Sequence, residues 1–432
     1  MMNDQKSFRD FQADLSAEFG LEILGVRHEL YFTARRQGKW QPKVLQALRA
    51  LSALALTIFD LMLRPGPRRV DRQYDGFLVA SLPGDNGWQS LRPLLHQAQA
   101  AQMKVAALWH PRVGRKDPVG QVAVYWLPRP SLGELWSALR SGLPYLRRRH
   151  PTVGSVAAAV SVARCQLWRA AWRRLALQNP AALVLHNDFD LMGAAAVASG
   201  LPCMVIQHGV PTDEFFPCSA EIQAVWGKTS AAAFKPQLLP SQRLLMDGLG
   251  RIERMPPSTS AAAPDEIVLL SQTHTDLYGV DIKRQLFAWA SDIQACGLPL
   301  SIWLHPAEAP SAGPYLSARA APHPGLKTVV GAPKLVLALS STALIEAAFA
   351  GHYVVGLAGD LPGSLAAQLV ARPPTRVADV DALAKLWSEL QASEAARARL
   401  AKAGRAWVEE GFAPTGAAQA EWVRMAARCS RC

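Results

Sequence analysis

The chain is short of every feature that would make its function obvious. Its six cysteines (Cys165, Cys203, Cys218, Cys296, Cys429 and Cys432) are too few in 432 residues for a disulfide scaffold. Only Cys429 and Cys432 have zinc-like spacing, and no second ligand pair lies near them, so a reducing compartment is expected. The polar, mixed-charge stretch from Met1 to Asp14 shows no secretory signal. There is no Gly-x-Gly-x-x-Gly after the first strand of either half, no P-loop, no Gly-x-Ser-x-Gly elbow and no His-Glu-x-x-His. Dehydrogenase, nucleoside triphosphatase, serine hydrolase and zinc enzyme readings all lose ground. Fixed-period repeats and long low-complexity tracts are lacking too. The most apolar run, Ala50 to Phe59, stops at Asp60, well short of the ~20 residues a span needs. Basic residues flank it, which leaves two readings: a buried helix with a solvated rim, favoured here, or an in-plane membrane contact.

What is present is a large core and an excess of positive charge. Half the residues are hydrophobic and 19% are charged, which excludes a disordered chain, a collagen and a coiled coil. Lys and Arg number 46 against 34 Asp and Glu, a net charge of +12 that favours polyanionic partners. Eight arginines and one acid lie between Glu134 and Arg174, interleaved with Leu143, Tyr145, Leu146, Trp168 and Trp172. With no groove-reading motif, nucleic acid is not the expected partner. An anionic membrane surface contacted through the Arg140–Arg174 region is preferred to a solvated helical face.

Length predicts two to three domains. Residues 1–70 read as a helical extension. Short Val/Leu/Ile runs then alternate with Ala/Leu-rich, helix-length segments, the pattern of a parallel sheet covered on both faces. Strands are expected at Phe77–Leu82, Lys104–His110, Val122–Leu127, Ala182–His186, Cys203–Gln207 and Ile222–Trp226. A Pro/Ser/Thr/Ala stretch, Met255–Asp265, marks a linker. The alternation restarts with strands at Glu266–Ser271, Leu300–Leu304, Leu326–Val330, Lys334–Leu339 and Tyr353–Leu357, and with helices that include Ser364–Val370. The fold class is therefore α/β, with Rossmann-like αβα domains at 71–255 and 265–432. Ligands in such folds bind outside the carboxyl ends of the strands.

Four strand-end clusters carry candidate chemistry. In His186-Asn187-Asp188-Phe189-Asp190, either acid suits a general base, and either can simply cap the following helix. In Gln207-His208-Gly209, the imidazole stands before a glycine turn and can take a proton near neutral pH, with Asp213 and Glu214 close by to orient it. In His305-Pro306-Ala307-Glu308, the proline fixes the turn and holds His305 extended, where it can donate to a phosphate; Glu308 is placed for a ribose or base edge. In Ser340-Ser341-Thr342, three hydroxyls precede an Ala/Leu-rich helix bearing Glu346, and helix N-termini attract anions. The loop Gln272-Thr273-His274-Thr275-Asp276, after the first strand of the second domain, faces the same cleft.

The paired His305-Pro306 and Ser340-Ser341-Thr342 resemble the His-Pro and Ser-Ser/Thr motifs of inverting GT-B glycosyltransferases that use CMP-activated sugars, such as bacterial sialyltransferases, polysialyltransferases and capsule Kdo transferases. Asp188, Gln207-His208-Gly209 and Trp226-Gly227 likewise resemble a pattern of surface-polysaccharide transferases. The resemblance spans roughly residues 180–360. It implies a GT-B-like fold with two Rossmann-like domains facing a central cleft. It also implies a metal-independent transfer from a CMP- or other nucleotide-activated sugar to a glycan or lipid-linked saccharide, with no cofactor, at the inner face of the cytoplasmic membrane. The donor site it implies is His305, Pro306, Glu308, Ser340, Ser341, Thr342, Glu346, Thr273 and His274. The base it implies is an acid or histidine of the first domain, among His208, Asp188 and Asp190. The Asp/Glu-Asp/Glu-Gly motif of sialyltransferases is missing. A His-Gly pair is also similar to that of polymerases using CDP-linked glycerol or ribitol, and a UDP-sugar transferase or epimerase shares the two-domain cleft. A non-catalytic basic scaffold is the alternative from another class.

Overall fold

The computed structural model describes residues 7–36, 39–63, 73–81, 85–110, 123–125, 127–249, 262–272, 281–305, 319–322, 332–359, 372–412 and 415–429. Helices α1 (Phe8–Phe19) and α2 (Arg27–Ala34), a short hairpin of β1 (Arg35–Arg36) and β2 (Lys39–Trp40), and α3 (Lys43–Ile58) form the N-terminal extension. The first domain then runs β3 (Gly76–Ala80), α4 (Asp85–Ala100), β4 (Val105–Trp109), β5 (Ala123–Tyr125), α5 (Leu132–Gly142), α6 (Ser155–Gln178), β6 (Ala182–Leu185), α7 (Leu191–Val197), β7 (Cys203–Ile206), β8 (Ile222–Val225), α8 (Lys228–Phe234) and β9 (Arg243–Met246). The second contains β10 (Ile267–Leu270), α9 (Ile282–Ala295), β11 (Leu300–Leu304), β12 (Arg319–Pro322), β13 (Leu335–Ala338), α10 (Thr342–Phe349), β14 (Tyr353–Leu357), β15 (Arg376–Val377), α11 (Val380–Ala392), α12 (Glu394–Phe412) and α13 (Ala417–Cys429).

Each domain is built on one wholly parallel sheet, in the orders β5-β4-β3-β6-β7-β8-β9 and β12-β11-β10-β13-β14-β15. Both reverse direction beside their first strand, at β3/β6 and at β10/β13. Such switch points open a crevice at the carboxyl edge. The α/β class with two Rossmann-like domains is thus as expected. Side-chain alternation explains why the strands read as unbroken apolar runs. Phe77, Val79, Leu183, Leu185, Cys203 and Val205 pack with α6, α7 and the N-terminal extension. Leu78, Ala80, Ala182, Val184, Met204 and Ile206 pack on the opposite face with α4 and α13. The last helix therefore returns to the first domain.

A third core joins the domains. Phe189, Phe215, Trp226 and Phe234 of the first pack with Val268, Val336, Leu344, Phe349 and Phe412 of the second.

The strand expectations hold to within about two residues wherever both are described, since buried β-branched and leucine runs leave few alternatives. β9, β15 and α13 lie outside those expectations. Strand Leu326–Val330 and helix Ser364–Val370 fall in segments beyond the described residues, and the neighbour of β11 is β12 at Arg319–Pro322.

The apolar run at Ala50–Phe59 departs from the favoured reading. It belongs to a helix that continues through a π turn to Leu63, and this 21-residue stretch is long and apolar enough to cross a membrane. It is mostly not buried. The interruption by Asp60 fails because that carboxyl turns inward.

Candidate active site

The loop after β6 forms a locked polar cluster. The His186 Nδ1–H donates to the Val79 carbonyl (3.3 Å), and Nε2 accepts from Asn187 Nδ2 (2.8 Å). Asn187 also donates to Ser81 Oγ (3.2 Å), and the Ser81 hydroxyl donates to Asp190. Burial holds the His186 imidazole below its ordinary pKa, outweighing the pull of Asp190 and the Val79 bond. Ser81 and His186 stand at the β3/β6 switch point. Gly87 of α4 abuts them, because a Cβ there would lie 2.7 Å from the His186 ring. Neither Ser81 nor Gly87 is marked by a motif in the sequence.

The two acids beside His186 have defined partners. Asp190 caps α7 by accepting from Gly193 N (2.9 Å). Asp188 Oδ2 accepts from Ser219 N (2.6 Å), Ala220 N (3.0 Å) and Gln223 Nε2 (3.3 Å). Burial raises the Asp188 pKa, and these donors together with Arg27 oppose the rise. Its oxygen pins the loop between β7 and β8.

His208 stands at the mouth of this arrangement, half-buried. Its Nδ1 lies 2.6 Å from the His186 carbonyl, which can only accept, so the proton sits on Nδ1 and Nε2 is the basic nitrogen. Phe215 stacks on the ring at 5.1 Å, and Phe189 lies 6.1 Å away. Gln207 explains why the Gln-His-Gly and Trp-Gly motifs occur together. Its Oε1 accepts from Trp226 N (3.0 Å), its carbonyl accepts from Trp226 Nε1 (2.9 Å), and its Nε2 donates to Gly209 O (3.0 Å).

The N-terminal extension clasps the loop that follows His208. Gln12 Nε2 donates to Phe216 O (2.8 Å), and the buried Arg27 donates to Glu214 O and Pro217 O (3.2 Å each). His28 Nε2 meets Glu214 at 3.3 Å. Glu214 is thereby turned toward the extension. Burial lowers the Arg27 pKa, and Asp188 is the largest influence opposing that. No motif marks Gln12 or Arg27.

In the second domain Gln272, at the end of β10, holds the end of β13 through a pair of bonds. Its Nε2 donates to Ser340 O, and its Oε1 accepts from Ser340 N (3.3 Å). Ser341 caps α10 by accepting from Ala343 N (3.2 Å). The Ser340 Oγ is buried with no hydrogen-bond partner among the described residues. That is the arrangement an incoming oxyanion would complete, beside a helix N-terminus. Glu346 lies half-buried one turn on. His305 follows β11, which flanks β10 opposite β13, so the His305 and Ser340 backbones stand about 10 Å apart along one edge. Pro306, Glu308, Thr273 and His274 lie outside the described residues.

The two halves meet at the candidate groups. Val210 N, two residues after His208, donates to Thr342 Oγ1 at 3.1 Å. The carboxyl edges of both sheets therefore face one another, the GT-B-like layout. Among the described residues no cluster of three or more His, Cys, Asp or Glu could hold a metal ion.

No known family profile matches the chain, and no curated protein matches it. Solved structures similar to it include MurG of Acinetobacter baumannii (13% identity, 82% of this chain and 99% of that one, TM-score 0.43). The spinosyn forosaminyltransferase SpnP is similar at 14% identity (82% and 100%, TM-score 0.46). So is the glycosyltransferase VinC in complex with DTDP (13% identity, 82% and 100%, TM-score 0.43).

Proposed function

We propose that the chain is a glycosyltransferase of the GT-B type. It would move a sugar from a nucleotide-activated donor held by the second domain to an acceptor hydroxyl held by the first. The observation that carries this reading is the bond from Val210 to Thr342, which sets a histidine with a fixed tautomer opposite a helix N-terminus bearing three hydroxyl residues. His208 Nε2 takes the proton of the acceptor hydroxyl as its oxygen attacks the anomeric carbon. The bond from that carbon to the phosphate oxygen breaks on the opposite face. The charge released onto the phosphate is met by the amide end of α10, by Ser340 and by the hydroxyls of Ser341 and Thr342. His305 serves the same nucleotide from the next strand but one.

The choice of nucleotide rests on the motif resemblance alone, which points to cytidine; uridine and thymidine donors fit the same geometry. A thermal-shift series with CMP, CDP, UDP, dTDP and GDP decides it, because a ligand at a hundred times its Kd stabilises by ~2.7 kcal/mol. For the base, His208→Ala is expected to lower kcat by roughly 10²–10⁴ with nucleotide binding kept. Asp188→Asn should instead lower stability and leave kcat of the folded enzyme within a few-fold. Wild-type transfer by the His208 variant, or loss of turnover by a stable Asp188 variant, would reverse the assignment.

A further inference from the structure

Helix α3 and the π turn that extends it to Leu63 carry a solvent-facing apolar stripe that the described fold leaves uncovered. Val44, Leu48, Leu51, Ala55, Phe59 and Leu63 recur at helical spacing on the exposed side, with Val44 73%, Leu48 60% and Leu63 67% exposed. At 1.5 Å per residue the stripe runs ~29 Å. The opposite side of the helix is fastened to the body. Gln46 donates to Thr152 O (2.7 Å) and accepts from Gly154 N (2.9 Å). Thr57 accepts from Arg164 (3.0 Å), and Asp60 is buried. These polar anchors suit a helix lying on a surface, not one crossing it.

The neighbouring segment supplies matching charge. α5 and α3 both pack on α6. From Leu132 to Arg149, Leu132, Trp136, Leu143 and Leu146 are exposed apolar groups, and Arg140, Arg147 and Arg149 are exposed cations. Arg148 is turned to the Glu18 carbonyl (2.9 Å). The acids of the two segments are withdrawn: Asp60 is buried and Glu134 is bonded to Arg174 (2.7 Å). Arg164, Arg169 and Arg174 are only partly exposed, so the eight-arginine tract is not one uniform patch.

We infer that α3, with the segment from Leu132 to Arg149, docks the protein in the plane of an anionic lipid bilayer. The apolar stripe enters the acyl boundary and the arginines meet the headgroups. A second copy of the chain is the poorer occupant, since two-fold pairing of this face would set its arginines against each other. The inference stands apart from the catalytic reading, and its test reads binding alone.

The test is flotation of the full chain with phosphatidylcholine vesicles, with and without a large fraction of phosphatidylglycerol. The wild type should float with the anionic vesicles and be released by salt. Leu48→Glu with Phe59→Glu should cut the bound fraction about tenfold. Arg140→Glu with Arg147→Glu and Arg149→Glu should abolish the preference for phosphatidylglycerol. All these positions are exposed, so unchanged melting temperatures are expected and confirm that the variants fold. Three results would overturn the inference: no flotation of the wild type at low salt, wild-type flotation by the Leu48/Phe59 variant, or a solution dimer that this variant splits while vesicles bind neither protein.

Discussion

Asp213 and Asp188 lie on the same side of the first domain, yet their surroundings give them different parts. Asp188 is met by two backbone amides and a glutamine, whereas Asp213 Oδ2 is buried with no hydrogen-bond partner among the described residues. Burial raises the Asp213 pKa from its ordinary 3.8 to about 6, with Arg9 pulling the other way and Asp10 adding to the rise. Between those two values the folded chain binds more protons than the unfolded one. Stability from this group is therefore full below pH 3.8 and is lost as pH rises through 6. A rise of that size in one carboxyl is equivalent to about 2–3 kcal/mol between its two protonation states. Asp213→Asn should gain on the order of that amount at pH 7 and almost nothing at pH 4, as read by urea unfolding at both. An equal gain at the two pH values would show that the carboxyl is not held protonated.

At the next scale up, elements approach through glycine. Gly227, which opens α8, meets α12 so closely that a Cβ would lie 2.1 Å from the Gly411 carbonyl. A backbone oxygen cannot swing aside as a side chain would. Gly227→Ala should cost about 1–3 kcal/mol in chemical unfolding. The partner position behaves differently, since a Cβ on Gly411 meets nothing nearer than Thr229 Oγ1 at 3.9 Å. Gly411→Ala should be neutral or slightly stabilising, and equal loss in both variants would disprove the close contact. Such elements divide sharply in how far their residues announce them. Buried strands such as Leu300–Leu304 and Tyr353–Leu357 coincide with their apolar runs, because a strand apolar on both faces has one simple signature. α3 does not, because its exposed stripe is as apolar as a core face, and composition cannot tell solvent from protein on the far side. α13 crosses back to the first sheet, where Trp422 packs against Gly76 and Glu421 gathers Arg243, Arg424 and Arg428. That destination depends on the path of the whole chain and leaves no local mark.

For the whole molecule the same distinction applies to the site. Strand-end position makes His208, Asp188, His305 and Ser340 legible as polar residues following buried runs. Arg27 and Gln12 are not, since each acts on backbone groups far along the chain, and a backbone acceptor has no identity in the sequence. One polar contact between the halves is of this kind: Thr342 accepts from the backbone of Val210. Thr342→Val keeps the volume and removes the acceptor, leaving a half-buried amide unpaired at a cost of about 1 kcal/mol. Much of the apolar domain interface would survive, so the global melting temperature should move little. What should change is the register between His208 and α10, together with the hydroxyl offered to the phosphate, and with them kcat, by roughly tenfold or more for a displacement near 1 Å. Thr342→Ser keeps the hydroxyl and should recover most of that loss. If Val and Ser variants transfer equally well, the Thr342 hydroxyl neither aligns the halves nor serves the phosphate.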